Sequence, residues 1–418
     1  MTLRFDIQWE APPRGVKSDE LRACWARLEI LADGRSLSRV EDGESGTVRR
    51  SIYVSTYPLA EWAAFNWWLL VADGRPLPSG GNFDRRGIRS AGDGFCWPDI
   101  SFQPQGERTL IRSRRRSLDS DLHFLTDADV QVYASDVIEA LSSMVEVTIE
   151  RLREVQVRGT QLESEWEALI ALDEEEQEFC EASARLGLDP FSEGADLAND
   201  ISTAFNGLPG DLANDFFDAA SPDAIDADLR WLKAAVSSTS KTRRKTTGNF
   251  SLGELRPNVV TERHRRRLQA PWEIGYACAR LAREASGLKA SDQLVDIPSI
   301  VLGADPSQRI VGAGAIRDDN FSVFATPRGG GVERRRFLSA RSIWHDLIGK
   351  PGGAYMLSNS AATHQQEGRS FAAELLAPAA GIVDIASEVG PDIEAIAEHF
   401  RVSTWVVDYQ IRNQELPV

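Results

Sequence analysis

Two stretches near the end of the chain carry residue types whose spacing could organise a metal site. RRFLSARSIWH runs from Arg335 to His345, and EGRSFAAELLAP runs from Glu367 to Pro378. Two histidines at i and i+4 lie on one helix face, so both imidazoles can reach one zinc while a glutamate beside the first activates the bound water. Laid on that template, the first ligand position holds Arg341, the glutamate position holds Ser342, and only the second histidine survives, as His345. A guanidinium keeps its proton and repels a divalent cation, and a serine in that place is no general base. No other register repairs the pattern. The five histidines are His123, His264, His345, His364 and His399, and no two stand four apart; starting the motif at His345 puts Gly349 in the second ligand's place.

The flanks of both stretches resemble the ImmA/IrrE family of zinc peptidases. There a stretch like RFTLAHELGH opens the active-site helix, and an acidic residue precedes FAAELLMP on a later one. Arg336, Phe337 and Ala340 fall where that family has Arg, Phe and Ala. PWEIGYACARLAREASGL, from Pro271 to Leu288, looks like the opening helix of such a domain, with QRIVGAGAI and NFSVFAT supplying short strands. The resemblance covers roughly 270–418 and implies a zincin-like, mostly helical domain with a small sheet, degenerate at its HExxH motif. Glu367 is the carboxylate nearest the family's third-ligand position, and Gly368-Arg369 stand where the family has "AN". Arg341, Ser342, His345 and Glu367 are therefore read as degenerate-site positions: no catalytic residue, metal or other cofactor is expected. Arg341 is expected to replace the metal electrostatically by pairing with Glu367.

The elements around that site predict an α+β chain. Residues 1–118 alternate in short runs such as RFDIQWE, ACWARLEI and SIYVSTY, punctuated by DGR, DGES and SGGN, which is the pattern of strands joined by turns. Trp62, Trp67, Trp68 and Trp97 lie in this β-rich domain and read as its core, with a partner surface as the alternative. Residues 119–235 change to helical periodicity, as in VQVYASDVIEALSSMVEVTIERLREV, and predict an α-helical domain. Residues 236–269 are polar, Ser/Thr-rich and basic and read as a linker. Within 270–418, DIEAIAEHFRVSTWVVDYQIRNQ has the spacing of a helix-turn-helix, with Val402-Ser403 as turn and cap. Its second helix offers Thr404, Trp405, Asp408, Gln410 and Arg412, a poor set for phosphates, so the tail is read as structural.

A net charge of −16 argues against a protein that coats nucleic acid with its whole surface. Three basic clusters run the other way: Arg112 with Arg114–Arg116, Lys241 with Arg243–Lys245, and Arg263 with Arg265–Arg267. They read as solvated faces, as does the acidic run Asp173 to Glu178. Cys24, Cys96, Cys180 and Cys278 lack CxxC or metal-ligand spacing and are expected to be reduced thiols. No signal peptide or membrane span is expected, the longest apolar run being Trp62 to Ala72, so the expected location is the cytoplasm.

Taken together, the expected protein is a non-catalytic regulatory, sensor or scaffold protein built on a pseudo-peptidase domain, binding a protein partner. By resemblance it would serve a stress, mobile-element or antiphage defence system. Two alternatives stay open. One is a divergent zinc metallopeptidase, cleaving a repressor-like protein, that uses His345, Asp346, His364 or Glu367 in another geometry. The other is a DNA-binding regulator using the C-terminal helices and basic clusters.

Overall fold

The computed structural model describes residues 2–72, 85–118, 122–191, 194–242, 251–267, 269–294, 299–317 and 323–418. About 52% of the chain is helix and 18% strand, with the strands concentrated towards the N-terminus, so the fold is α+β. The chain separates into two compact units, Met1–Ala198 and Asn199–Val418.

The first unit runs β1 (Leu3–Trp9), α1 (Asp19–Ala23), β2 (Trp25–Ala32), β3 (Arg35–Ser36), β4 (Val40–Asp42), β5 (Thr47–Arg49), β6 (Ile52–Ser55), α2 (Tyr57–Phe65) and α3 (Trp67–Val71). It continues with β7 (Asp99–Gln105), β8 (Arg108–Arg114), β9 (Arg116–Ser117), β10 (Leu122–Phe124), β11 (Ala128–Tyr133), α4 (Ala134–Glu154), α5 (Gln161–Ala171) and α6 (Glu174–Arg185). Among the described residues the strands form small antiparallel sheets: β1-β2-β3 with β6 also on β2, β5-β4-β10-β9, and β11-β8-β7. In β8 the alternation is clean, with Thr109, Ile111 and Ser113 buried between the more exposed Arg108, Leu110, Arg112 and Arg114.

The division of the chain falls elsewhere than the periodicity suggests. Helix α4 carries Val137, Leu141, Met144, Val145, Ile149 and Leu152 at three- and four-residue spacing, and this stripe is buried in one core with Leu28, Ile30, Phe102 and Ile111 of the strands. The helices expected to form a separate domain over 119–235 are thus shared between the units, and the strands themselves run on to Tyr133. Trp62 and Trp97 are buried in this core, and Trp67 meets Trp166 edge to face at 5.1 Å. The acidic run opens α6 with a capping box: Asp173 accepts from the Glu176 amide and Glu176 accepts from the Asp173 amide.

The second unit runs α7 (Ala198–Gly207), α8 (Gly210–Ala219), α9 (Ile225–Lys241), α10 (Leu252–Arg265), α11 (Pro271–Ala285), β12 (Ser299–Val301), β13 (Ile310–Ala315) and β14 (Phe324–Thr326). It ends with α12 (Val332–Ile348), β15 (Ala354–Ser358), α13 (Thr363–Leu376), α14 (Ala379–Val389), α15 (Ile393–Phe400) and α16 (Thr404–Asn413). Its sheet has the order β12-β14-β13-β15, with β12 parallel to β14 and the other pairs antiparallel. Part of the stretch read as a linker is α10, which buries Leu252, Leu255 and Val259 against α11 and α12. Three apolar residues at helical spacing were hidden there by their basic neighbours. Arg243 to Lys245, in the second basic cluster, lie outside the described residues, as do the first residues of NFSVFAT.

Helix α12 is buried from Leu338 to Leu347, and α13 packs against both α12 and α11. The α11–α13 approach is close enough to need glycine: a Cβ on Gly275 would lie 2.4 Å from the Glu367 carbonyl and 2.8 Å from the Phe371 amide. Among the described residues, one stretch is long and apolar enough to cross a membrane, Thr363–Val389, against the expectation of none. It is the α13–α14 pair, broken at Pro378, and its most apolar part is mostly buried inside the fold, so its apolarity serves a protein core.

The C-terminal helices fold as a helix-turn-helix, with Ile396, Ala397, Phe400, Val402 and Val407 in the core. The turn differs in detail. Arg401 takes the left-handed conformation (φ 55°), and Ser403 stands at the N-cap without a side-chain cap hydrogen bond. Gln410, one of the residues a DNA reader would present, is fully buried and donates to Glu374 and to the Ala377 carbonyl.

Candidate functional site

The candidate site lies where α12, β15 and α13 meet. Arg341, Ser342 and His345 come from successive turns of one α12 face, and Gln365 and Glu367 come from the first turns of α13. All five side chains are buried. The flanking residues of the motif are structural: Ala340 is in the core, and Arg336 donates to the carbonyl oxygens of Leu294 and Phe400.

Arg341 occupies the position of a first zinc ligand and does something else. Its Nη2 donates at 2.7 Å to the Ser358 carbonyl at the end of β15 and at 2.7 Å to Oε1 of Gln365. Gln365 completes a knot, accepting from the Ser358 amide at 3.1 Å and donating to the Met356 carbonyl at 2.8 Å. One guanidinium and one carboxamide thereby tie α12, β15 and α13 together. Among the described residues the Nε of Arg341 has no hydrogen-bond partner. Burial, and then the charge of Arg369, pull this guanidinium down to about 9, the mark of a cation held without a counter-ion beside it.

The expected Arg341–Glu367 pair is not formed. The guanidinium on Glu367 is that of Arg263, from α10, at 2.9 Å. Arg341 is committed to Ser358 and Gln365, and α10, in a stretch expected to be a linker, brings a cation to Glu367 instead. The third basic cluster dissolves accordingly: Arg263 serves Glu367, while Arg265 and Arg266 both pair with Glu262 and hold its carboxyl down at about 2.

Ser342 is fully buried and its hydroxyl donates back to the Ser339 carbonyl at 2.7 Å, a bond internal to α12. His345 stacks on Tyr355 with ring centroids 5.4 Å apart and meets His364 edge to face at 5.7 Å. Its Nε2 has no hydrogen-bond partner among the described residues, and a Cβ on Gly368 would lie 3.5 Å from it. Burial, then the charges of His364, Arg341 and Arg263, push His345 well below its ordinary 6.5, so it is neutral. His364 goes the other way. Burial alone would lower it, but the Asp215 carboxylate of α8, 2.8 Å from its Nε2, outweighs burial with help from Glu367 and Asp218.

His364, Asp215, Gln365 and Arg263 are the members of this site that the motif did not reveal. The two histidines are nineteen positions apart in sequence, a spacing with no local meaning, and Asp215 lies in a helix far upstream. Among the described residues, no three His, Cys, Asp or Glu side chains are grouped so as to hold a metal ion. The donor set fits zinc poorly for a positive reason as well. A buried guanidinium fills the first ligand's place, and the carboxylates of Glu367 and Asp215 are engaged by Arg263 and His364. Among the described residues no disulfide forms, and Cys24, Cys180 and Cys278 are buried. Comparison with known protein families, with curated proteins and with solved structures finds no match for this chain.

Proposed function

We propose that residues 270–418 are a degenerate ImmA/IrrE-type peptidase domain that works as a non-catalytic regulatory, sensor or scaffold module engaging a protein partner. The observation that carries the reading is the Arg341–Gln365 knot. In a zinc peptidase, a metal cross-links the active-site helix to a later helix; here hydrogen bonds make that link, with a guanidinium in the first ligand's place. Ser342, bonded within its own helix, supplies no base in the glutamate's place. The flanking matches at Arg336, Phe337 and Ala340 support descent from such a site, and so does a buried acid, Glu367, on the second helix. A place in stress, mobile-element or antiphage defence rests on the resemblance alone.

The test is elemental analysis of chelator-free protein, side by side with the double variant Arg341→His/Ser342→Glu, which restores the motif. The native protein is expected to carry no stoichiometric metal, and the double variant is expected to gain roughly one zinc per chain. Stoichiometric zinc in the native protein, lost in His345→Ala, would make it a divergent peptidase and direct work to proteolysis. Failure of the folded double variant to bind any metal would remove the degenerate-site reading.

A further inference from the structure

The first basic cluster does not stay together. Arg112 pairs with Asp129 at 3.7 Å, Arg114 with Asp129 at 2.6 Å and Asp127 at 3.4 Å, and Arg116 donates to the Trp97 carbonyl. Arg115 points elsewhere. It lines a hollow of about 710 Å³ in the first unit together with Arg35, Arg39 and Arg50. Of these four exposed arginines, Arg35, Arg39 and Arg50 come from one stretch of the chain and Arg115 from a strand-rich stretch far along it, and Val48 and Leu125 give the hollow an apolar wall.

Three features distinguish the hollow from an ordinary solvated charge run. Arg35, Arg39 and Arg115 form no side-chain hydrogen bond or ion pair among the described residues; Arg50 has one, to Glu29 at 2.9 Å. The acid that lines the hollow, Asp127, is shared with Arg114. The backbone beneath is fixed by cross-segment hydrogen bonds: Thr126 Oγ1 to the Ser36 carbonyl at 2.9 Å, Ser36 Oγ to the Arg50 carbonyl at 3.0 Å, and the Leu125 amide to the Arg39 carbonyl at 3.0 Å. Gathering like charges on a rigid floor costs energy that a protein of net charge −16 has ample acidic residues to avoid.

We infer that this hollow is a binding site for a compact, multiply charged phosphate ligand of the nucleoside di- or triphosphate class. Guanidinium forks match phosphate oxygens two at a time, and several of them converging suit adjacent phosphates better than a single carboxylate. Val48 and Leu125 offer the non-phosphate part an apolar surface. A compact ligand is favoured over a long strand because the phosphate-binding groups converge in one concavity, while the acidic body repels a polyanion laid across it.

The experiment is calorimetric titration of the full chain at low and physiological salt with inorganic tripolyphosphate, a nucleoside triphosphate and a single-stranded oligonucleotide. It is repeated on Arg39→Ala/Arg115→Ala. Tripolyphosphate and the nucleotide are expected to compete for one site, the nucleotide binding more tightly, and the double variant to lose roughly tenfold or more in affinity. Both affinities should weaken as salt rises. Absence of tripolyphosphate binding at low salt overturns the proposal, as does an affinity unchanged in the double variant. Oligonucleotide binding that tripolyphosphate cannot displace overturns it in favour of a strand-binding surface. The substituted residues are exposed, so an unchanged melting temperature verifies that the variant is folded.

Discussion

The chain holds two concentrations of arginine that sequence alone does not tell apart, and the structure treats them oppositely. Around α12 and α13, Arg341 and Arg263 sit at the site itself, each committed to an internal acceptor, and Arg336 is spent the same way on carbonyls nearby. In the hollow of the first unit, Arg35, Arg39 and Arg115 are exposed and uncommitted among the described residues. The lesson is that a cation's partners, more than its presence, decide its role. A buried guanidinium with its donors placed on fixed acceptors is part of the scaffold, because unmaking those bonds costs stability. An exposed guanidinium with none leaves its donors free for a ligand.

The largest effect that could break this comparison is at Arg341. Arg341→Ala empties a buried volume and leaves the Ser358 carbonyl without its donor, so a loss of about 2–5 kcal/mol is expected in denaturant unfolding. Arg341→Met keeps most of the volume and removes a charge whose burial is itself costly, as its lowered proton affinity indicates, and should be much milder. A loss below roughly 1 kcal/mol for the alanine variant would mean that the knot does not hold the helices together.

The Arg263–Glu367 pair comes next. Glu367 is 2% exposed while Arg263 is 39% exposed, so Arg263→Ala takes a charged partner from a buried carboxylate. The expected loss is near about 3 kcal/mol, the low end for a broken buried pair, and adding Glu367→Gln should recover part of it. If the double variant is no more stable than Arg263→Ala, the guanidinium contributes by packing and the ion pair does not matter.

The histidines give a third contrast, read as slopes of stability against pH. His364 is raised above 6.5 in the folded state, so its contribution is fully present below 6.5 and disappears as pH rises through the folded value. His345 is lowered, so the unfolded chain takes up a proton below 6.5 that the folded chain refuses, and stability falls as pH drops from there. Unfolding midpoints between about pH 5 and pH 8 should therefore show His364→Gln flattening the alkaline slope and His345→Gln flattening the acid slope. Parallel curves for both variants and the native protein would show that neither histidine changes its proton on folding.

Much of this was legible in the sequence, and the exceptions have a common cause. The strand alternation of β8, the stripe of α4 and the helix-turn-helix spacing are local patterns, and local patterns survive without a fold. The placement of Arg341, Ser342, His345 and Glu367 on two helices was equally local. Partners were not. Arg263, Asp215 and Gln365 reach the site by tertiary packing, and the α10 stripe was masked by charged neighbours. The apolar positions of α4 looked like a separate helical domain because periodicity reports that a face is buried without reporting against what.

The smallest expected effect is the one that sharpens the comparison most. If the hollow's arginines are held for a ligand, removing them should leave the unliganded fold almost untouched. Arg39→Ala and Arg115→Ala are each expected to change the unfolding free energy by no more than about 0.5 kcal/mol, the ordinary range for exposed sites. The sign is informative too, since losing one of several like charges relieves repulsion and should leave the protein neutral to slightly more stable, most visibly at low salt. A clear loss, on the order of 2 kcal/mol, would put these side chains in the same structural class as Arg341 and erase the distinction between the two regions. Near-neutrality here, set beside a large loss at Arg341, would separate cations that build the fold from cations left available to bind.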